Sequence, residues 1–293
     1  MTDSTTDRQR HEANRTSWNA ATVAHNSHKV DQAGFLKNGG STLFPEEIEL
    51  LGDIRGKRLV HMQCNAGQDT LSLAQRGAVV TGVDISDEAI DFATQLSADS
   101  GIPATFVRSD IYDWFDAARG AGERFDIAFC SYGAICWLSN LNLWAECVAA
   151  VLVPGGRLVV VDFHPVLMMF DEKLQHKYSY FARNEPHEWE EGVGDYVAMS
   201  DGALAPSGYQ EGVHDFNNPN PVYEYQWHLG AIFTALLKAG MSIDQFHEYP
   251  YSNGAKFAEC MEVKPGRRMY LPSPIPSVPL MYGLVTTKRK AIN

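Results

Sequence analysis

The stretch Arg58–Asp84, RLVHMQCNAGQDTLSLAQRGAVVTGVD, constrains the fold more than any other part of this chain. Arg58-Leu59-Val60-His61-Met62 is an apolar run of strand length, and Gln63 to Gln68 carries small and turn-forming residues. Asp69 to Arg76 follows with helical apolar spacing at Leu71, Leu73 and Ala74, and Gly77 is a natural C-terminal stop. Val79-Val80-Thr81-Gly82-Val83 is a second strand, ending at Asp84. This order predicts a βαβ unit with a ligand crevice at the C-terminal edge of a parallel sheet. A helix N-terminus presents unpaired N–H groups there, and an acid ending the second strand can accept two hydrogen bonds from a ribose.

The turn narrows the ligand. Dinucleotide folds show G-x-G-x-x-G at this place. Here the turn is Cys64-Asn65-Ala66-Gly67, with one glycine. One glycine allows close backbone approach at one point, whereas a pyrophosphate lying across the turn needs more bare backbone. A smaller ligand with a ribose and an amino-acid tail fits better. A nicotinamide-dependent oxidoreductase, the rival enzyme reading, needs the three-glycine turn or a Tyr-x-x-x-Lys pair, and the sequence has neither.

At these residues the chain resembles the class I S-adenosylmethionine-dependent methyltransferases, over roughly Asp53 to Pro165 and again from Trp227 onward. The family's first loop matches Met62-Gln63-Cys64-Asn65-Ala66-Gly67, and its ribose-binding acid matches Asp84. Its adenine-reading acid matches Asp110 in Phe106-Val107-Arg108-Ser109-Asp110-Ile111. Phe125 to Ser131 matches the fourth strand, and Leu152 to Leu158, through Pro154-Gly155-Gly156, the turn into the fifth. More narrowly, Asn14 to Asn19, the Cys-x-x-Gly-Gln-Asp-Thr loop and Asp162-Phe163-His164-Pro165 are similar to a bacterial group acting on small molecules in natural-product pathways. The resemblance implies S-adenosyl-L-methionine as cofactor and an α/β fold, a doubly wound seven-stranded mostly parallel sheet (Rossmann-like). It implies cofactor contacts at Gln63, Asn65, Gly67, Gln68, Asp84, Ile85, Ser109, Asp110, Ile111 and Ser131. The family usually has an acid where His61 stands and further glycines where Gln63 and Asn65 stand. That acid helps hold the methionine amino group, and Gln63 or an N-terminal residue is the expected replacement.

Composition removes other classes. A formal net charge of -12 repels nucleic acid and anionic membranes, so a small-molecule substrate is expected. Five cysteines without a C-x-x-C pair point to a reduced compartment and no structural metal. A polar N-terminus and the lack of a long apolar run give a cytoplasmic protein as the expectation.

Three regions are expected. Residues 1–51 form an N-terminal arm, disordered from Met1 to Arg10, then helical from His11 to His28, with a second helix begun by Pro45. In the resembled family such arms fold over the cofactor or exchange between subunits, so a homo-oligomer is an expectation. Residues 52–164 and 227–293 form the cofactor-binding core. In it Ser86 caps a helix, Leu141 to Leu152 is helical, and Met241–His247 and Leu280–Thr287 are late strands. Between 165 and 226 periodicity fails and aromatic residues are interleaved with Gly, Pro and Asn, which reads as a substrate-binding cap after the fifth strand.

Two catalytic residues are expected. Tyr132, after the fourth strand, would wall the transfer site; packing is its bland role. His164, after the fifth, has an unperturbed pKa near neutral and would accept a proton; capping ahead of Pro165 is its bland role. His187, His214 and His247 are weaker candidates. The cap aromatics suit an aromatic or terpenoid substrate, methylated at carbon, oxygen or nitrogen, and could also form a small core of their own. A non-catalytic protein that binds the same cofactor is the second alternative.

Overall fold

The computed structural model describes residues 5–181 and 185–290. Its first helix, α1 (Thr5–Ser27), begins well before His11, and Met1–Ser4 lie outside the described residues. The first turns carry no apolar period. They are held from outside, by the Arg8–Asp113 ion pair and by Asn14, which donates to the Tyr223 carbonyl and accepts from its N–H. A short helix α2 (Gln32–Lys37) follows, capped by Asp31, and then α3 (Pro45–Leu51) with proline at its first turn. Glu47 reaches back to accept from the Phe44 N–H at 2.7 Å.

Strands and helices then alternate: β1 (Arg58–Met62), α4 (Gln68–Gln75), β2 (Val79–Asp84), α5 (Asp87–Ser100), β3 (Thr105–Arg108), α6 (Ile111–Gly120), β4 (Phe125–Ser131), α7 (Leu141–Val151) and β5 (Leu152–Phe163). Ser86 caps α5 by accepting from Ala89 N–H at 3.1 Å, as its sequence position predicts. Helix α7 passes straight into β5 at Leu152, so Pro154-Gly155-Gly156 falls inside the strand, where the register against β4 shifts.

After β5 come two short paired strands, β6 (His187–Trp189) and β7 (Val222–Glu224), then α8 (Leu229–Lys238) and β8 (Met241–Tyr249). Three strands of three residues each, β9 (Tyr251–Asn253), β10 (Glu262–Lys264) and β11 (Arg268–Tyr270), form a separate sheet before β12 (Met281–Lys288). The division into core and cap made from the sequence did not separate that small sheet.

The central sheet runs β3-β2-β1-β4-β5-β12-β8. Pairings from β3 to β5 are parallel, and β12 is antiparallel to both neighbours, so it alone is reversed. Successive side chains of a strand face opposite layers. Val60, Ala128, Cys130, Leu158 and Val160 pack with α6, α7 and α8, while Leu59, Ile127, Phe129, Val159 and Val161 pack with α3 and α4. Both faces are therefore covered, which is why these strands read as continuous apolar runs. No helix among the described residues is long and apolar enough to cross a membrane.

The remaining clusters join the added parts. Ala21 and Trp18 of α1 pack with Val193, Val222 and Tyr196. Leu167 and Ala203 pack with Met261 and Met269 beside the small sheet. The arm is also bound to the 165–226 segment by Asn218, which donates to Ser17, and by His28, whose Nε2 lies 2.7 Å from Asp195 Oδ2.

Candidate functional site

A cavity of about 870 Å³ lies over the C-terminal ends of β1, β2, β4 and β5, between that sheet edge and the arm. Of the site residues expected from sequence, Gln63, Asn65, Gln68, Asp84, Ile85, Ser109, Asp110, Ile111, Ser131 and Tyr132 all line it. Two do not.

The first is Gly67. It starts α4 at φ +77°, and a Cβ there would lie 2.6 Å from Ala93 Cβ and 2.9 Å from the Phe106 ring. Its bare backbone lets the turn pack closely against α5 and β3. The second is His164, which is 2% exposed. Its Nδ1 accepts from Val166 N–H at 3.1 Å and its Nε2 lies 3.1 Å from Glu248 Oε1. His164 is not among the residues lining the cavity, and its Nδ1 caps the turn after β5. Of the weaker histidine candidates only His187 borders the cavity; His214 and His247 are exposed.

The β1–α4 turn adopts the backbone that glycines would give. Gln63 stands at φ +54° and Asn65 at φ +48°. Asparagine tolerates this region; for glutamine it costs about 1 kcal/mol. Gln63 Nε2 donates to the Ala134 carbonyl at 2.8 Å, which offsets the strain and aims its side chain. Gln63 Oε1 is then buried without a hydrogen-bond partner among the described residues. Asp84 closes the turn: Oδ2 accepts from Asn65 N–H at 2.8 Å and Oδ1 from Ser86 N–H at 2.9 Å. Burial pushes the Asp84 carboxyl up, against the pull of the N–H groups of Ser86, Asn65 and Ile85.

Asp110 caps α6 by accepting from Tyr112 N–H at 2.8 Å, and its Oδ2 lies 2.7 Å from His11 Nδ1 on α1. Burial alone would raise its carboxyl; the His11 contact and the N–H groups of Tyr112 and Asp113 together bring it below the usual range. Ser109 Oγ donates to the Asp110 carbonyl at 2.8 Å. Gln68 Nε2 donates to Asn26 Oδ1 at 3.0 Å and Gln32 Oε1 at 2.7 Å, and so fastens the end of the arm to α4.

Tyr132 has φ +34° and is followed by Gly133 at φ +75°. Its hydroxyl accepts from Asn253 Nδ2 at 2.9 Å, and its ring meets Phe44 and Phe163. Burial and the nearby Glu47 carboxyl push this phenol well up, so it stays protonated. The loop is held by Asp162, which accepts from the N–H groups of Gly133, Ala134 at 3.2 Å, Ile135 at 3.0 Å and Phe163 at 2.7 Å. Sequence reading gave Asp162 no role. The available signal was an acid ending an otherwise apolar strand, which is costly unless its oxygens are used.

His61, 2% exposed, replaces the acid of the resembled family. Its Nδ1 lies 2.9 Å from Thr70 Oγ1. Burial pushes it from the ordinary 6.5 down to about 4, partly countered by Asp69. The folded chain thus favours the neutral ring. Its contribution to stability is present above pH 6.5 and lost as pH falls toward 4. The stability difference between wild type and His61→Gln should therefore move by roughly 3 kcal/mol against the wild type across that window. Urea unfolding at both ends of the window measures it, and a constant difference would contradict the assignment.

Residues 60–156 match the family described as "Methyltransferase domain". Over these residues the chain carries a methyltransferase domain. A ubiquinone biosynthesis O-methyltransferase from Vibrio parahaemolyticus is 30% identical over 111 residues, covering 38% of this chain and 46% of that protein. The chain thus spans under half the length of the curated relatives it matches. The fold of the methyltransferase domain extends further. The CcbJ methyltransferase from Streptomyces caelestis aligns at TM-score 0.56 with 13% identity, over 94% of this chain and 99% of that one. Magnesium protoporphyrin IX methyltransferase from Synechocystis PCC 6803, with bound SAH, aligns at TM-score 0.50 with 16% identity, over 97% and 100% of the two chains.

Proposed function

We propose that this chain is an S-adenosylmethionine-dependent methyltransferase whose substrate is a small molecule, an aromatic or terpenoid natural-product intermediate methylated at carbon, oxygen or nitrogen. One observation carries the reading: the Asp84 carboxylate, the Gln63–Asn65 turn and an aromatic-walled space share a single cavity at the sheet edge. The donor set fits the cofactor. Asp84 would accept from a ribose, Gln63 Oε1 is a buried acceptor with no donor among the described residues, and the volume of about 870 Å³ would leave room beside the cofactor for a second molecule of drug-like size.

When bound, S-adenosylmethionine supplies an activated methyl group on a sulfonium. The protein's work is then alignment and exclusion of water. Asp84 and the turn would hold the ribose end. Tyr132, fixed by Asn253, walls the space beyond Ser131 together with Phe163. Trp18, Trp137 and Tyr196 cover it from the arm side, and their ring faces can stabilise positive charge. Helix α1 packs against the 165–226 segment of the same chain.

The test is acceptor-dependent release of S-adenosylhomocysteine on a panel of phenols, amines and carbon acids. Release with at least one apolar small molecule is the expected result. Transfer only to protein or polynucleotide acceptors would overturn the small-molecule reading.

A further inference from the structure

The cofactor's amino-acid end is a zwitterion, so its site needs one anion and one cation. The acid that the resembled family uses is absent, and the neutral His61 cannot replace its charge. Among the residues that line the cavity are Gln63, Asp69 and Lys29. Asp69, on the first turn of α4, accepts from Thr42 Oγ1. Lys29 follows α1 and is placed by its neighbours: Val30 N–H donates to the Gly208 carbonyl at 2.9 Å and His28 contacts Asp195. Gln68, bonded to Asn26 and Gln32, fastens this segment to α4 beside Asp69.

The described residues make no ion pair or side-chain hydrogen bond to the Lys29 ammonium. Burial lowers it to about 8, opposed by Asp69 and Asp195, so Asp69 lies within its field. Lys29 is half-buried on the cavity wall, and an ammonium there with no partner among the described residues is a site for an anion. Gln63 Oε1 likewise has no donor among the described residues.

We infer that Asp69 and Gln63 Oε1 receive the ammonium of the cofactor's amino-acid end, and Lys29 receives its carboxylate. The arm is thereby part of the cofactor site and not only a cover for the substrate. This assignment rests on the cofactor reading above.

Calorimetric titration separates the two. S-adenosylhomocysteine has the amino-acid end; 5′-methylthioadenosine keeps the adenosine and sulfur but lacks it. Lys29→Met and Asp69→Asn should each weaken S-adenosylhomocysteine by about tenfold or more and leave 5′-methylthioadenosine unchanged. Asp84→Ala should weaken both ligands. Equal losses for the two ligands, or no loss for either, would overturn the assignment. A wild type that binds neither ligand would overturn the cofactor reading itself.

Discussion

Asp162→Ala is expected to lose about 4 kcal/mol of folding stability, the largest effect of any single change in the site. Four backbone N–H groups converge on this carboxylate, three of them from the loop after β4. That loop carries two successive residues at positive φ, Tyr132 and Gly133, so it cannot relax into a strand or helix that would pair those donors otherwise. Each buried donor left unpaired costs about 1–3 kcal/mol, and water entering from the cavity recovers part of the sum. Asp162→Asn keeps one acceptor but sets an NH2 group against N–H donors, so about half the loss is expected. Urea unfolding measures both. A loss below about 1 kcal/mol for Asp162→Ala would show that the loop is held by something else.

Asp84→Ala is expected to lower affinity for S-adenosylhomocysteine by about a hundredfold or more. Two charge-assisted hydrogen bonds to ribose hydroxyls, at roughly 1.5–3 kcal/mol each, set that scale. The same carboxylate orders the turn through Asn65 and Ser86 N–H, so its removal also frees the turn that the ligand needs ordered. Asp84→Asn keeps the shape and loses the charge. It should fall between wild type and Asp84→Ala in both affinity and unfolding midpoint, because its NH2 group meets one of the two N–H donors. Unchanged affinity in both variants would remove Asp84 from the site.

The sheet was legible because its strands are buried on both faces. Val79–Asp84 and Phe125–Ser131 read as apolar runs, and helix stops such as Gly77 bound them. The acid at the end of β2 was legible for the same reason, being the last residue of a clear strand. Strands β9, β10 and β11 were not, since three residues are too few to show a period. The start of α1 was also hidden: it is polar on every side, and its stability comes from partners such as Asp113 and Tyr223, far away in sequence. Gly67 shows the limit of motif reasoning. The residue type was right for the turn, but the neighbours that require it are Ala93 and Phe106. His164 shows the same limit, because proximity to the sheet edge in sequence does not fix which way a ring turns, and here Glu248 on β8 receives it. Lys29 and Asp69 are 40 positions apart, and only the fold brings them to one cavity.

The central claim is that this cavity is an S-adenosylmethionine site. Calorimetric titration of the wild-type chain with S-adenosylhomocysteine, with NAD as the second ligand, tests it most directly. The account predicts saturable micromolar binding of S-adenosylhomocysteine and no heat with NAD. Binding of NAD instead, or of neither ligand, would contradict it.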